Sequence, residues 1–145
     1  MNYELLFSRK TSFVRAGGRH FRYSVYSVIK AGNKLSLGFG KSKTYSDAIS
    51  KSSLPNTPMK IEIISKKDTI PFTVTVKVCK TTLKLIPCYL KKGIVANTII
   101  RIILMGTNIK NLYSKILGSK NRINVIKATF AALSIFNKCQ ELKKD

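Results

Sequence analysis

Gly38-Phe39-Gly40-Lys41-Ser42 is the stretch of this chain that comes nearest to a nucleotide-binding signature. A phosphate loop needs a further glycine five positions before Gly40, where Leu35 stands, and the dinucleotide fingerprint needs one where Lys43 stands. The stretch therefore reads as a strand end whose lysines reach a phosphate. Catalysis finds no better footing, because the six acids, Glu4, Asp47, Glu62, Asp68, Glu141 and Asp145, are scattered without helical or strand pairing. His20 is the single histidine and sits beside Gly17-Gly18-Arg19, a loop position facing a ligand or solvent rather than a base. Cys79, Cys88 and Cys139 lack the paired spacing of a zinc site or a disulfide framework, so reduced, half-buried thiols are expected. No catalytic residue, metal ligand or cofactor follows from these patterns.

What remains is charge. Lys and Arg number 27 against 6 acids, a net charge of +21. Such self-repulsion opposes compaction of the isolated chain unless a polyanion supplies counter-charge, which directs attention to nucleic acid or an anionic membrane. The most apolar run, residues 99–105, is interrupted by Arg101 and too short to span a bilayer, so no membrane partner is expected. The beginning, MNYELLFSRK, carries Glu4 and no long apolar core, unlike a secretory or transit signal. Within the basic set, Arg15, Arg19, Arg22, Lys41 and Lys43 differ from a solvated lysine surface such as Lys143-Lys144, because glycines and aromatics stand among them. Gly17, Gly18 and His20 belong to the same cluster, and Phe39 and Tyr26 are available to stack on bases or to pack in a core.

The elements that must carry these residues follow from periodicity. Residues 3–15 suit a first strand with Leu5, Phe7 and Phe13 apolar. Phe21, Tyr23, Val25 and Ile29 alternate with Arg22, Ser24 and Tyr26 as a second strand, and Ala31-Gly32-Asn33 turns the chain. Leu35, Leu37 and Phe39 line the returning strand, while Gly38 and Gly40 leave its other side bare for a helix. That helix, residues 45–53, has Ser46 as N-cap, Asp47 in its first turn, and Ala48 and Ile49 toward the sheet. Leu54-Pro55-Asn56-Thr57-Pro58 then separates two halves, 1–56 and 57–145.

In the second half Ile61 and Ile63, then Val74, Val76 and Val78, then Leu83 and Leu85 alternate as strands, with Lys66-Lys67-Asp68 as a turn. Val95, Ile99, Ile102, Ile103 and Gly106 form one helical stripe, which stops near Asn108. Residues 112–117 suit a strand, and Asn121 caps a helix with the stripe Val125, Thr129, Ala132, Leu133 and Phe136. The fold class is α+β, β-β-β-α followed by β-β-α-β-α, in two-layer sandwiches.

Read together, Gly17-Gly18-Arg19 with Phe21, Gly32-Asn33 and Gly38-Phe39-Gly40-Lys41 resemble the S-five family of small-subunit ribosomal proteins, of bacterial and organellar type. Thr69-Ile70-Pro71, Gly93-Ile94, Arg101, Lys115, Gly118-Ser119, Asn121, Ile123-Asn124-Val125 and Ala128-Thr129 continue the family's order over residues 12–133. The resemblance implies a double-stranded-RNA-binding-like first half, no catalysis, and binding to small-subunit rRNA with the glycine loop toward the subunit neck, near where spectinomycin acts. It also implies contact with the S-four and S-eight neighbours and a part in the mRNA entrance and decoding accuracy. Lys120 and Arg122 join Arg15, Gly17, Gly18, Arg19, His20, Arg22, Lys41 and Lys43 as RNA-facing residues, and Gly93 and Arg101 as a protein interface.

The chain also departs from the family. Ala16 replaces a basic residue, Lys91-Lys92 replace Gly-Thr, Asn97 and Thr98 stand where small glycines are usual, and Arg122 replaces a proline. Short ends fit a version from a reduced bacterial genome or an organelle, working on the ribosome. The competing readings are a free double-stranded-RNA-binding regulator, and an enzyme on the second half's fold, for which no site residues speak.

Overall fold

A computed structural model describes residues 2–31, 34–54, 61–62, 68–107 and 109–141. Gly32-Asn33, Lys66-Lys67, Asn108, the Pro55-to-Pro58 breaker and Lys143-Lys144 fall outside the described residues. The chain forms two compact units, Met1–Lys60 and Ile61–Asp145.

In the first unit, β1 (Asn2–Arg15), β2 (Gly18–Ala31) and β3 (Lys34–Ser42) form an antiparallel meander, and α1 (Tyr45–Ser52) follows. The expected Gly17-Gly18 loop is instead a two-residue turn, Ala16-Gly17, closed by the pair Arg15↔Gly18. Gly18 takes φ 108°, a conformation that side chains resist. His20 therefore lies within β2, not in a loop. A register shift between Leu5 and Phe7 brings Leu6 inside and leaves Leu5 40% exposed, so the first strand's buried residue is one position from the expected one. Val25, Val28, Ile29 and Leu35 are buried, but Phe21 is 43% exposed, because β3 ends at the pair Tyr23↔Ser42 and only β1 accompanies β2 beyond it.

α1 rests on the bare side of β3, as the two glycines there require. A Cβ on Gly38 would collide with the Ser52 carbonyl, and one on Gly40 with the Ala48 carbonyl. Ser27 Oγ donates to the same Ser52 carbonyl at 2.6 Å. The N-cap is Thr44, not Ser46, and its hydroxyl bonds the Asp47 carboxylate. Ala48 and Ser52 face the sheet, while Ile49 is half-buried.

After β4 (Ile61–Glu62), the second unit contains β5 (Val74–Val78), β6 (Thr81–Pro87), β7 (Ile94–Val95), α2 (Thr98–Met105), β8 (Leu112–Gly118) and α3 (Arg122–Glu141). Its sheet has the order β5-β6-β8-β7, antiparallel except that β7 runs parallel to β8 with α2 as the crossover. Val95 lies in β7 and is 46% exposed, so it is not part of the α2 stripe. The buried stripe is Ile99, Ile100, Ile103 and Leu104, and Ile102, one residue and about 100° round the helix from Ile103, is half-buried. In α3 the expected stripe holds: Val125, Thr129, Ala132, Leu133 and Phe136 are buried, joined by Ile126, Ala128 and Phe130. Asn121 caps it, its Oδ1 accepting from Ile123 N–H at 3.3 Å. Cys79 is exposed at φ 54° in the β5–β6 turn rather than half-buried, and Cys88 is intermediate.

Candidate nucleic-acid interface

Beyond Tyr23↔Ser42 the paired strands β1 and β2 form a two-stranded ribbon whose faces are fixed by register. Counting from Arg15↔Gly18, the pairs Phe13↔His20, Thr11↔Arg22 and Arg9↔Ser24 share one face with Arg15. Val14↔Arg19, Ser12↔Phe21 and Lys10↔Tyr23 share the other. Ring contacts agree with this division. On the first face Phe13 stacks on His20 with centroids 5.6 Å apart, and the guanidinium carbons of Arg15 and Arg22 lie 5.3 and 5.2 Å from the Phe13 ring. On the second, Lys10 Nζ sits 4.1 Å from the Phe21 ring centre. Each cation–π contact contributes about 0.5 kcal/mol at such exposed positions, which biases the long side chains toward the rings without fixing or neutralising them.

The first face continues onto β3. Ser24 pairs with Arg9 on one side and Lys41 on the other, which forms a row Arg9–Ser24–Lys41. The next row is aromatic: Phe7, Tyr26 and Phe39, with both centroid separations 4.8 Å. Burial pushes the Tyr26 phenol up. Rows two residues apart along a strand are about 7 Å apart, so from Phe39 to the ribbon tip an aromatic row is followed by the cationic rows of Arg9 with Lys41 and of Arg22, then by Phe13 with His20, and last by Arg15. No Asp or Glu occurs between Glu4 and Asp47 to compete for these cations.

The structure thus brings Arg15, His20, Arg22 and Lys41 to one face, while Arg19 points from the opposite one. Lys43 lies just past the end of β3, and Gly17 and Gly18 shape the tip. Arg9 and Lys10 stand in the rows of the same ribbon and escape sequence reading, because only the register reveals their place. In the other unit, Lys120 is exposed and Arg122 is the first residue of α3. Gly93 takes φ 75°, its N–H donating to Asn111 Oδ1 at 3.0 Å and its carbonyl accepting from Leu112. Arg101 is exposed on α2, its Nη2 3.5 Å from the Ala96 carbonyl. Among the described residues no group of His, Cys, Asp and Glu could hold a metal ion, and no helix is long and apolar enough to cross a membrane.

An antiparallel meander under one helix, joined in sequence to a mixed β-α-β sheet under two, with a carboxylate-free basic ribbon, has the form of a ribosomal protein of α+β class. Residues 76–145 match the family model described as ribosomal protein S5, C-terminal domain. The chain is 34% identical to small ribosomal subunit protein uS5 of Chloroflexus aurantiacus over 134 residues, 92% of this chain and 75% of that protein. It is 32% identical to uS5 of Fusobacterium nucleatum, covering 96% and 85% of the two chains. The Treponema denticola uS5 is 35% identical, with 93% and 79% covered. The chain belongs to the uS5 family of small ribosomal subunit proteins.

Proposed function

We propose that the protein is a structural, non-catalytic constituent of the small ribosomal subunit that binds small-subunit rRNA through the β1–β2 ribbon. The observation that carries this is the ribbon face: Arg9, Arg22 and Lys41 exposed between two aromatic rows and Arg15 beyond them at the tip, with no carboxylate between Glu4 and Asp47. Cations at this spacing position a sugar–phosphate path, and Phe13 and His20 offer ring surface to an unpaired base. Gly17 and Gly18 keep the tip slim, so that the backbone itself approaches the RNA. Arg19 holds a phosphate on the ribbon's other side, and Lys43, Lys120 and Arg122 extend the footprint. Gly93 and Arg101 meet a protein neighbour, S-four, with S-eight as a second, and the chain contributes to the mRNA entrance and decoding accuracy. It works on the ribosome of a bacterium with a reduced genome or of an organelle.

Sucrose-gradient sedimentation of a tagged copy tests the reading. Co-sedimentation with the small subunit, and release by ribonuclease or high salt, is the expected result. Recovery in a light, RNA-free fraction would overturn it, and association with duplex RNA away from ribosomes would make the protein a free regulator instead.

A further inference from the structure

The sheet of the second unit is covered on one face by α3, whose Val125, Phe130 and Leu133 are buried together with Val74, Leu83, Leu85 and Leu112. Its other face consists of three rows, Ile86–Tyr113–Val95, Thr75–Lys84–Lys115 and Lys77–Thr82–Leu117. Lys84 and Lys115 are directly opposite on neighbouring strands, both exposed, and no carboxylate pairs with either among the described residues. Like charges facing each other across a ladder destabilise a sheet, and a third ammonium, Lys77, stands in the adjacent row of the same face. A sequence free to choose would place a carboxylate opposite one of them.

From this pairing we infer that the open β5–β6–β8 face is a second RNA-contact surface, with Lys84 and Lys115 holding one phosphate between them and Lys77 the next. The occupant follows from charge complementarity. Two ammoniums on adjacent strands, about 5 Å apart at their backbones, bracket a single phosphate as point charges. Thr75 and Thr82 place hydroxyls beside them, able to donate to phosphate oxygens or accept from a 2′-hydroxyl. Tyr113, 43% exposed in the neighbouring row, supplies a ring for a ribose or an unpaired base. An acidic protein would satisfy the lysines equally, but RNA also uses the hydroxyls and the ring, and it is the polyanion that the chain as a whole requires.

The inference rests on the RNA-binding reading above and has its own signature, because the two lysines oppose each other in the free protein and act together in the complex. In the full chain, Lys84→Gln with Lys115→Gln should raise the thermal unfolding midpoint by about 2 °C. The same variant should flatten the slope of log affinity for small-subunit rRNA against log salt by about 0.8, the loss of one phosphate contact, and weaken binding about sixfold near 0.1 M salt. Lys84→Arg with Lys115→Arg should keep the wild-type slope. An unchanged slope in the Gln variant, while wild type binds, overturns this surface and leaves the ribbon reading intact. Failure of wild type to bind the RNA overturns the ribbon reading itself. Retention of the wild type, and loss of the Gln variant, on poly-glutamate with RNA binding unchanged would make the face a protein-docking surface and overturn the inference.

Discussion

Arg9 on β1 and Lys41 on β3 flank Ser24 from opposite sides, two like charges across two strand spacings, about 10 Å apart. That separation exceeds a direct contact, and each head group can take its own phosphate on a strand crossing the sheet.

The face assignment makes a quantitative prediction. Arg9, Arg22 and Lys41 replaced together by Gln should reduce the salt slope for rRNA binding by about 2, since each lost phosphate contact removes roughly 0.7 to 0.9. Arg19→Gln, on the other face, should remove less than about 1. Gln at Lys91, Lys92 and Lys127 serves as a charge-matched control, with an expected change below about 0.5. Titration by filter binding at several salt concentrations measures all three, and equal slopes for the first and third variants would show that bulk charge holds the RNA.

Gly38→Ala or Gly40→Ala should each destabilise the first unit by about 3 kcal/mol, because the new methyl meets an α1 carbonyl that cannot swing aside. Gly17→Ala should cost less than about 0.5 kcal/mol, since nothing lies within 4 Å of its added Cβ. Urea denaturation of the three variants provides the comparison.

Tyr26 gives the unit an alkaline limit. Its folded pKa is raised by burial, so the folded state holds the phenolic proton more tightly than the unfolded chain. The stability tied to that proton is complete below the unfolded value, about 10, and is lost as pH rises through the folded one. Tyr26→Phe should remove this part of the alkaline destabilisation while keeping the stack with Phe7 and Phe39. Unfolding midpoints from pH 8 to 11, about the range in which tyrosine titrates, should diverge between the two proteins only at the upper end.

Arg101→Ala tests the proposed protein contact. Among the described residues the side chain reaches only the Ala96 carbonyl, and the residue is exposed on α2. Affinity for the S-four neighbour should fall about tenfold, a typical cost for an interface arginine, with rRNA affinity changing less than about twofold. A fall in RNA affinity matching that of Arg22→Ala would move Arg101 to the RNA interface.

Much of this was legible in the residues because alternation and helical period survive translation into structure directly. Val74, Val76 and Val78, the Gly38 and Gly40 seat for α1, and the α3 stripe from Val125 to Phe136 all follow from local pattern. The misplacements in the sheets share one cause: they depend on pairing, which a single strand does not encode. The bulge after Leu5 moved burial to Leu6, and the short parallel β7 took Val95 from the helix. Arg9 needed the length of the Ala16-Gly17 turn, from which counting outward reaches Ser24. Arg19 and Lys41, grouped in one basic cluster by sequence, stand on opposite faces for the same reason, since the alternation of a strand sends neighbouring residues to opposite sides.

The meander also sets a timetable. Each of the strands β1 to β3 pairs with the next one in sequence, and α1 closes over them immediately, whereas the second unit, beyond its β5–β6 hairpin, must bring Gly118 back to Thr81 across β7 and α2 before its sheet is complete. Local pairings form sooner than distant ones. During synthesis the ribbon is therefore complete while the remainder of the chain is still emerging. In refolding this appears as a fast phase reported by Tyr23 and Tyr45, whose rings meet at 5.8 Å, ahead of the phase reported by Phe72 and Phe136.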